Sequence, residues 1–150
     1  MNITVVITGN KELQTKIKRL GNSIYDQRAS MAEIGRSAAV YYANQGFNSQ
    51  GGVFGSPWQR LSPRYAAWKA KNYPGRPPLV RTGKMQNSFD FQATSSTVLI
   101  GNSSPQFKYH QSSAPRRVIP RRASIGVNDQ IKRMVREAIS RDISQKLKRA

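Results

Sequence analysis

The sequence predicts an α+β domain: a small, mostly antiparallel sheet packed against two or three helices, with long interface loops and a basic C-terminal helix. Three observations predict it. Apolar residues recur at helical spacing in two N-terminal segments and one C-terminal segment. Short β-branched and aromatic runs bounded by turn residues mark strands. Two long polar stretches, residues 48–57 and 102–124, fall between these periodic segments. At 150 residues the chain is one domain, 1–150, with material for a modest core.

Ile3-Thr4-Val5-Val6-Ile7-Thr8, closed by Gly9-Asn10, reads as a strand. Leu13, Ile17, Leu20 and Ile24 then give a narrow apolar stripe on a helix over 11–27, expected to face the core, with binding of a partner helix as the alternative. Gly21 within it costs about 1 kcal/mol relative to Ala, so that helix needs tertiary packing. Ser30 with Glu33 reads as a capping box opening a second helix through Met31, Ile34, Ala38, Tyr41 and Tyr42 to Gly46. With a break near 27–29, these two segments predict a helical pair. A Gly-, Ser- and Asn-rich loop follows over 48–57.

Ser62-Pro63 starts a short helix carrying Tyr65 and Trp68, and Pro74-Gly75-Arg76-Pro77-Pro78 ends it. Thr82 is a fair N-cap for a turn through Ser88. Phe89 to Ala93 and Thr97 to Ile100, joined by Thr94-Ser95-Ser96, predict a hairpin. Residues 102–124 read as mostly irregular and basic. The closing helix, 128–148, places Ile131, Met134, Val135, Ala138, Ile139, Ile143 and Leu147 on its apolar stripe and would be about 30 Å long.

Charge narrows the class of partner. The chain has 25 Lys and Arg against 7 Asp and Glu, for a net +18. The excess is +3 over residues 1–50, +7 over 51–110 and +8 over 111–150. Such a balance favours nucleic acid, anionic lipid or an acidic protein surface. No Cys is present, which excludes disulfides and thiolate metal sites. The longest apolar run, Ile3 to Ile7, is too short to span a bilayer, so no membrane partner is expected.

No constellation for chemistry emerges. Thr82-Gly83-Lys84 invites a phosphate-loop reading, but Pro78 and Met85 occupy positions where that motif needs Gly and Ser or Thr. His110 is the sole histidine and has no nucleophile turn beside it. One His and seven scattered carboxylates offer no metal-ligand spacing. An enzyme is not expected, and neither is a cofactor. Nucleic acid is the stronger rival: Arg116, Arg117, Arg121 and Arg122, followed by Lys132, Arg133 and Arg136, could neutralise several phosphates. No helix-turn-helix, zinc finger or RNA-recognition signature accompanies them, so sequence-specific readout is not expected.

The order of several short elements carries a resemblance. Pro57-Trp58-Gln59-Arg60-Leu61-Ser62 matches a Pro-Trp-x-x-Leu-Ser element, and Leu79 to Ser88, including Arg81, Thr82 and Gly83, matches a Leu-x-Arg-Thr-Gly-basic-apolar-x-x-Ser element. After Ile100-Gly101 come Tyr109-His110-Gln111, then Ile119-Pro120-Arg121-Arg122 before the closing helix. In this order they resemble the virion-morphogenesis or tail-completion family of tailed phages, the Mu-like group with neck and head–tail joining relatives. Ser112-Ser113 stands where that family usually carries Gly, and its Pro after the Arg is missing, with Ala123 near that place.

The resemblance implies a structural protein of the virion neck or tail, assembled in the host cytoplasm. Its partners would be copies of itself in a ring, a neighbouring portal or adaptor connector, and tail-terminator or tail-tube proteins. DNA would touch it without specificity in the channel. Trp58, Arg81, Thr82, Gly83, Tyr109, His110, Gln111, Arg121 and Arg122 are then expected at subunit or partner contacts, with Tyr65 and Trp68 as further anchors, although for Trp58 and Trp68 core packing is expected before an interface contact. For Arg81 a structural salt bridge or loop clamp is expected before a DNA contact. Arg116, Arg117, Lys132, Arg133 and Arg136 are expected to face DNA or an acidic surface. The alternative is a non-specific DNA-binding or packaging-associated basic protein.

Overall fold

A computed structural model describes residues 11–113 and 118–149. The strand expected over 3–8 lies outside them, as do Arg116 and Arg117. The elements are helices α1 (Lys11–Tyr25), α2 (Arg28–Tyr41) and α3 (Pro63–Asn72), strands β1 (Phe89–Ala93) and β2 (Val98–Asn102), and helices α4 (Phe107–Gln111) and α5 (Asp129–Arg149). The architecture is α+β. A two-stranded antiparallel hairpin packs on α2, and α5 packs on α2 as well.

The hairpin forms as its sequence dictates. Phe89 pairs with Asn102, Phe91 with Ile100 and Ala93 with Val98, so alternate side chains turn toward α2 while Asp90, Gln92 and Leu99 face outward. Thr94 closes the turn: its N–H reaches the Thr97 carbonyl at 2.9 Å and its Oγ1 accepts the Thr97 N–H at 3.0 Å. Gly35 lets α2 approach this sheet, since a Cβ there would stand 2.2 Å from Phe91 Cδ2.

Buried Met31 and Ile34 of α2 meet Ala138 of α5, with Ala93, Val98, Val135 and Ile139 around them. One turn further along, Ala38, Tyr42 and Ile131 pack with Phe54, Phe89 and Ile100. Phe89 also touches a third cluster of Phe47, Trp58, Val80 and Met85, so the core runs continuously from the helices into the loops. The end of α2 widens into a π-turn over Tyr42–Gly46. A wider turn brings residues five apart toward one side, and Tyr42 and Phe47 are both buried.

Several expectations are corrected. Ser30 is not an N-cap: α2 begins at Arg28, its Met31 N–H bonds the Gln27 carbonyl at 2.9 Å, and Ser30 Oγ donates to Gln27 Oε1 at 3.2 Å inside the first turn. Glu33, exposed, reaches Arg141 on α5 at 2.8 Å instead. The α1 stripe is only partly buried where it is described: Leu20 and Ile24 are half-buried and Ile17 is exposed. Helix α1 leans on α5 and not on α2, leaving Ile17 at 55% exposure and Tyr25 at 82%. Loop 102–124 contains the short helix α4, so Tyr109, His110 and Gln111 are helical. Loop 48–57 includes a 3-10 turn, Gly52–Phe54, whose Phe54 ring lies 5.7 Å from Tyr42.

The closing helix starts as expected. Asn128 Oδ1 accepts the Ile131 N–H at 3.0 Å as an N-cap, while its Nδ2 donates to the Val53 carbonyl and Tyr41 hydroxyl, both at 2.9 Å. One side chain thus caps α5 and ties it to loop 48–57.

Candidate assembly surface

Three sequence-distant segments, 47–51, 80–85 and the one holding Ala123, converge on Trp58. The indole is 6% exposed, stands edge-on to Phe47 at 5.2 Å and packs with Val80 and Met85. Its Nε1 donates to the Ala123 carbonyl at 2.7 Å. Gly51 makes room: its φ is +82°, and a Cβ there would lie 2.4 Å from Trp58 Nε1. The Trp58 backbone N–H in turn donates to the Gln50 carbonyl at 2.6 Å.

Segment 120–125 is laced down by hydrogen bonds. Arg122 Nε and Nη2 donate to the Gln59 and Arg60 carbonyls at 2.9 and 3.1 Å, and the Arg122 N–H reaches the His110 carbonyl at 2.9 Å. Gln111 acts as a substitute strand partner. Its Oε1 accepts the Ser124 and Ile125 N–H groups at 2.9 and 3.3 Å, and its Nε2 donates to the Ile125 carbonyl at 2.8 Å. Arg121 stays exposed and donates from Nε to the Gln111 carbonyl at 3.1 Å.

The Leu79–Ser88 block is a staple of the same clamp. Gly83 turns with φ +82°, and Thr82 Oγ1 accepts the Lys84 N–H at 3.4 Å, so Thr82 caps a turn as expected. Val80 and Met85 are buried against Trp58. Gln86 Nε2 reaches the Ala43 carbonyl at 2.9 Å, and Asn102 Nδ2 reaches the Met85 carbonyl at 2.7 Å. Arg81 is exposed, with its guanidinium 5.8 Å from the Tyr73 ring centroid.

Burial reassigns one expected contact, Arg122, and places Trp58 in the core. Trp58 and Arg122, the latter 6% exposed, are occupied inside the chain and present nothing to a neighbour. Lys69 of α3 is also buried, at 4%, with Nζ donating to the Pro77 carbonyl. Backbone carbonyls thus satisfy both buried cations. Burial, and secondarily the Arg122 charge, lowers the Lys69 pKa below its ordinary value; burial likewise lowers that of Arg122.

Outward from the clamp the surface is aromatic and cationic. Tyr65 and Trp68 on α3 stack at 5.4 Å and 21°, and Tyr73 tilts onto Trp68 at 5.7 Å. Tyr109 is exposed under Lys108 at 5.1 Å. Lys132, Arg133 and Arg136 lie exposed on α5, with Lys132 paired to Asp129 at 3.3 Å. Arg64 and Lys71, not singled out in the sequence reading, share the Trp68 side of α3. Their spacing from Trp68, four before and three after, is the signal that marks them. A second signal is stronger. Between Glu33 and Asp129 the only acidic residue is Asp90, against thirteen Lys and Arg.

Among the described residues no three His, Cys, Asp or Glu side chains gather as a metal site needs, and no helix is long and apolar enough to cross a membrane. What the fold and surface define is a small α+β scaffold whose loops are locked internally and whose outer face is basic and aromatic. Residues 8–144 match the Phage virion morphogenesis family, and the chain belongs to that family. It is therefore a phage protein of virion assembly. Neither curated proteins nor solved structures give a match.

Proposed function

We propose that this chain is a non-enzymatic structural protein of the tailed-phage neck, one subunit of a ring that joins head to tail or completes the tail around the DNA path. The observation that carries this reading is the convergence of the four segments bearing the family resemblance on the Trp58 clamp. Their polar side chains are used to fix loops: Gln111, Arg122, Gln86 and Asn102 all hold backbone groups. A rigid body with internally fixed loops and a basic, aromatic exterior suits heterologous contacts that close into a ring. Copies of itself, a portal or adaptor connector, and tail-terminator or tail-tube proteins are the partners of that reading.

Removing the gene from the phage tests it. The expected outcome is DNA-filled heads and separate tails that fail to join, restored by supplying the protein in trans. Normal joined particles, or loss of heads altogether, would overturn it. The stretch with a single acidic residue supports a second reading, non-specific binding of DNA during packaging. Steeply salt-dependent duplex binding by the isolated chain would favour that alternative.

A further inference from the structure

We infer that the outer face of α3 docks a different virion protein through a carboxylate-bearing surface. This rests on the chain's role in virion assembly, and not on its placement at the neck. Helix α3 packs on no other helix or strand to any substantial extent among the described residues, and is held by its one buried side chain, Lys69. Beside Lys69 the helix carries two large, partly exposed aromatic rings, Tyr65 at 42% exposure one turn before it and Trp68 at 44% next to it. Isolated apolar side chains on a surface are ordinary; two rings stacked on each other and extended by Tyr73 and Arg81 form a ridge.

Geometry decides what the ridge suits. The Tyr65 and Trp68 rings are near-parallel and cover each other's faces, while Arg81 covers Tyr73. The ridge therefore offers edges more than faces, and single-stranded nucleic acid needs open faces on which bases stack. Ring edges carry positive potential and polar hydrogens, which suit carboxylate oxygens. The Trp68 indole N–H donates to no group among the described residues, while Tyr65 stands within electrostatic reach of Arg122. Trp, Tyr and Arg together are also the composition of protein-interface hot spots.

Charge fixes the partner's sign. Arg64 and Lys71 flank Trp68 along the helix, both exposed, and Arg81 stands behind Tyr73. No acidic residue occurs between Glu33 and Asp90, so this face has no local counter-charge from its own segment. A second copy presenting the same face would add like charge to like, so a partner bearing Asp and Glu is the complementary one.

The test places the photo-crosslinker p-benzoylphenylalanine at position 68 of the full chain, in particles assembled when that chain complements its deleted gene. The expected product joins this chain to a peptide of another virion protein that contains Asp or Glu. Arg64→Glu combined with Lys71→Glu should cut that yield about tenfold without moving the thermal midpoint. Replacing the partner's acidic residues by Lys should restore it. A crosslink to a second copy of this chain, a crosslink to DNA, or incorporation with no crosslink at 68 or at a second probe at 65 would each overturn the inference. Its failure is separable from that of the neck reading, which is judged by joined or unjoined particles.

Discussion

Gly51 sits where two constraints meet. Its φ of +82° favours glycine, and Trp58 Nε1 occupies the space a Cβ would need. Gly51→Ala should cost roughly 2–4 kcal/mol, combining backbone strain and overpacking, as read from urea unfolding. Gly55, also at positive φ but with open space around it, should tolerate Ala with only the strain component. Lys69 makes a different prediction. Its folded pKa is lowered, so as pH rises toward its ordinary 10.5 the unfolded chain holds more protons than the folded one, and stability rises through that window. The penalty for burying the cation is fully present below the folded pKa. Lys69→Met should remove this rise, seen by comparing denaturant midpoints of the two proteins from neutral pH upward. Tyr42 works in the opposite sense. Its pKa is raised by burial first and by Tyr41 second, so its contribution is intact below 10.0 and is lost as pH climbs through the raised value.

At the scale of elements, the periodic segments were legible and their partners were not. The hairpin, α3 and α5 follow from alternation, Pro63 and the Asn128 cap, all local signals. The capping box failed because Ser30 and Glu33 have the right spacing, yet Gln27 already starts the helix one turn earlier. The clamp was hidden for a physical reason: Trp58, Arg122 and Lys69 bond backbone carbonyls, which leave no residue-type signature at the accepting end. Of the three only Arg122 was expected mainly at a contact, and burial uses all of them internally. For α5, the two functional readings diverge. If DNA binding is the function, Arg133→Glu with Arg136→Glu should make the negative slope of log affinity against log salt shallower by about 2, roughly one per lost phosphate contact. The neck reading predicts weak duplex binding that these changes barely alter. Fluorescence anisotropy with a labelled duplex distinguishes them.

For the whole molecule, the core and the clamp form one continuous body through Phe89, which packs with both the α2 cluster and the Trp58 cluster. Rigidity of that kind favours repeated, identical contacts over induced fit. Whole-molecule charge was fully legible in the sequence, but its distribution needed the fold: six of the seven acidic residues belong to α1, the α1–α2 junction, α2 and α5, leaving the clamp side basic. The most direct measurement is averaged electron cryomicroscopy of the neck of purified particles. The expected result is a closed ring of density around the DNA path into which this α+β body fits, with its α3 face turned to an adjacent protein. Particles that lack the chain at the neck, or that carry it as scattered single copies along the DNA, would contradict it.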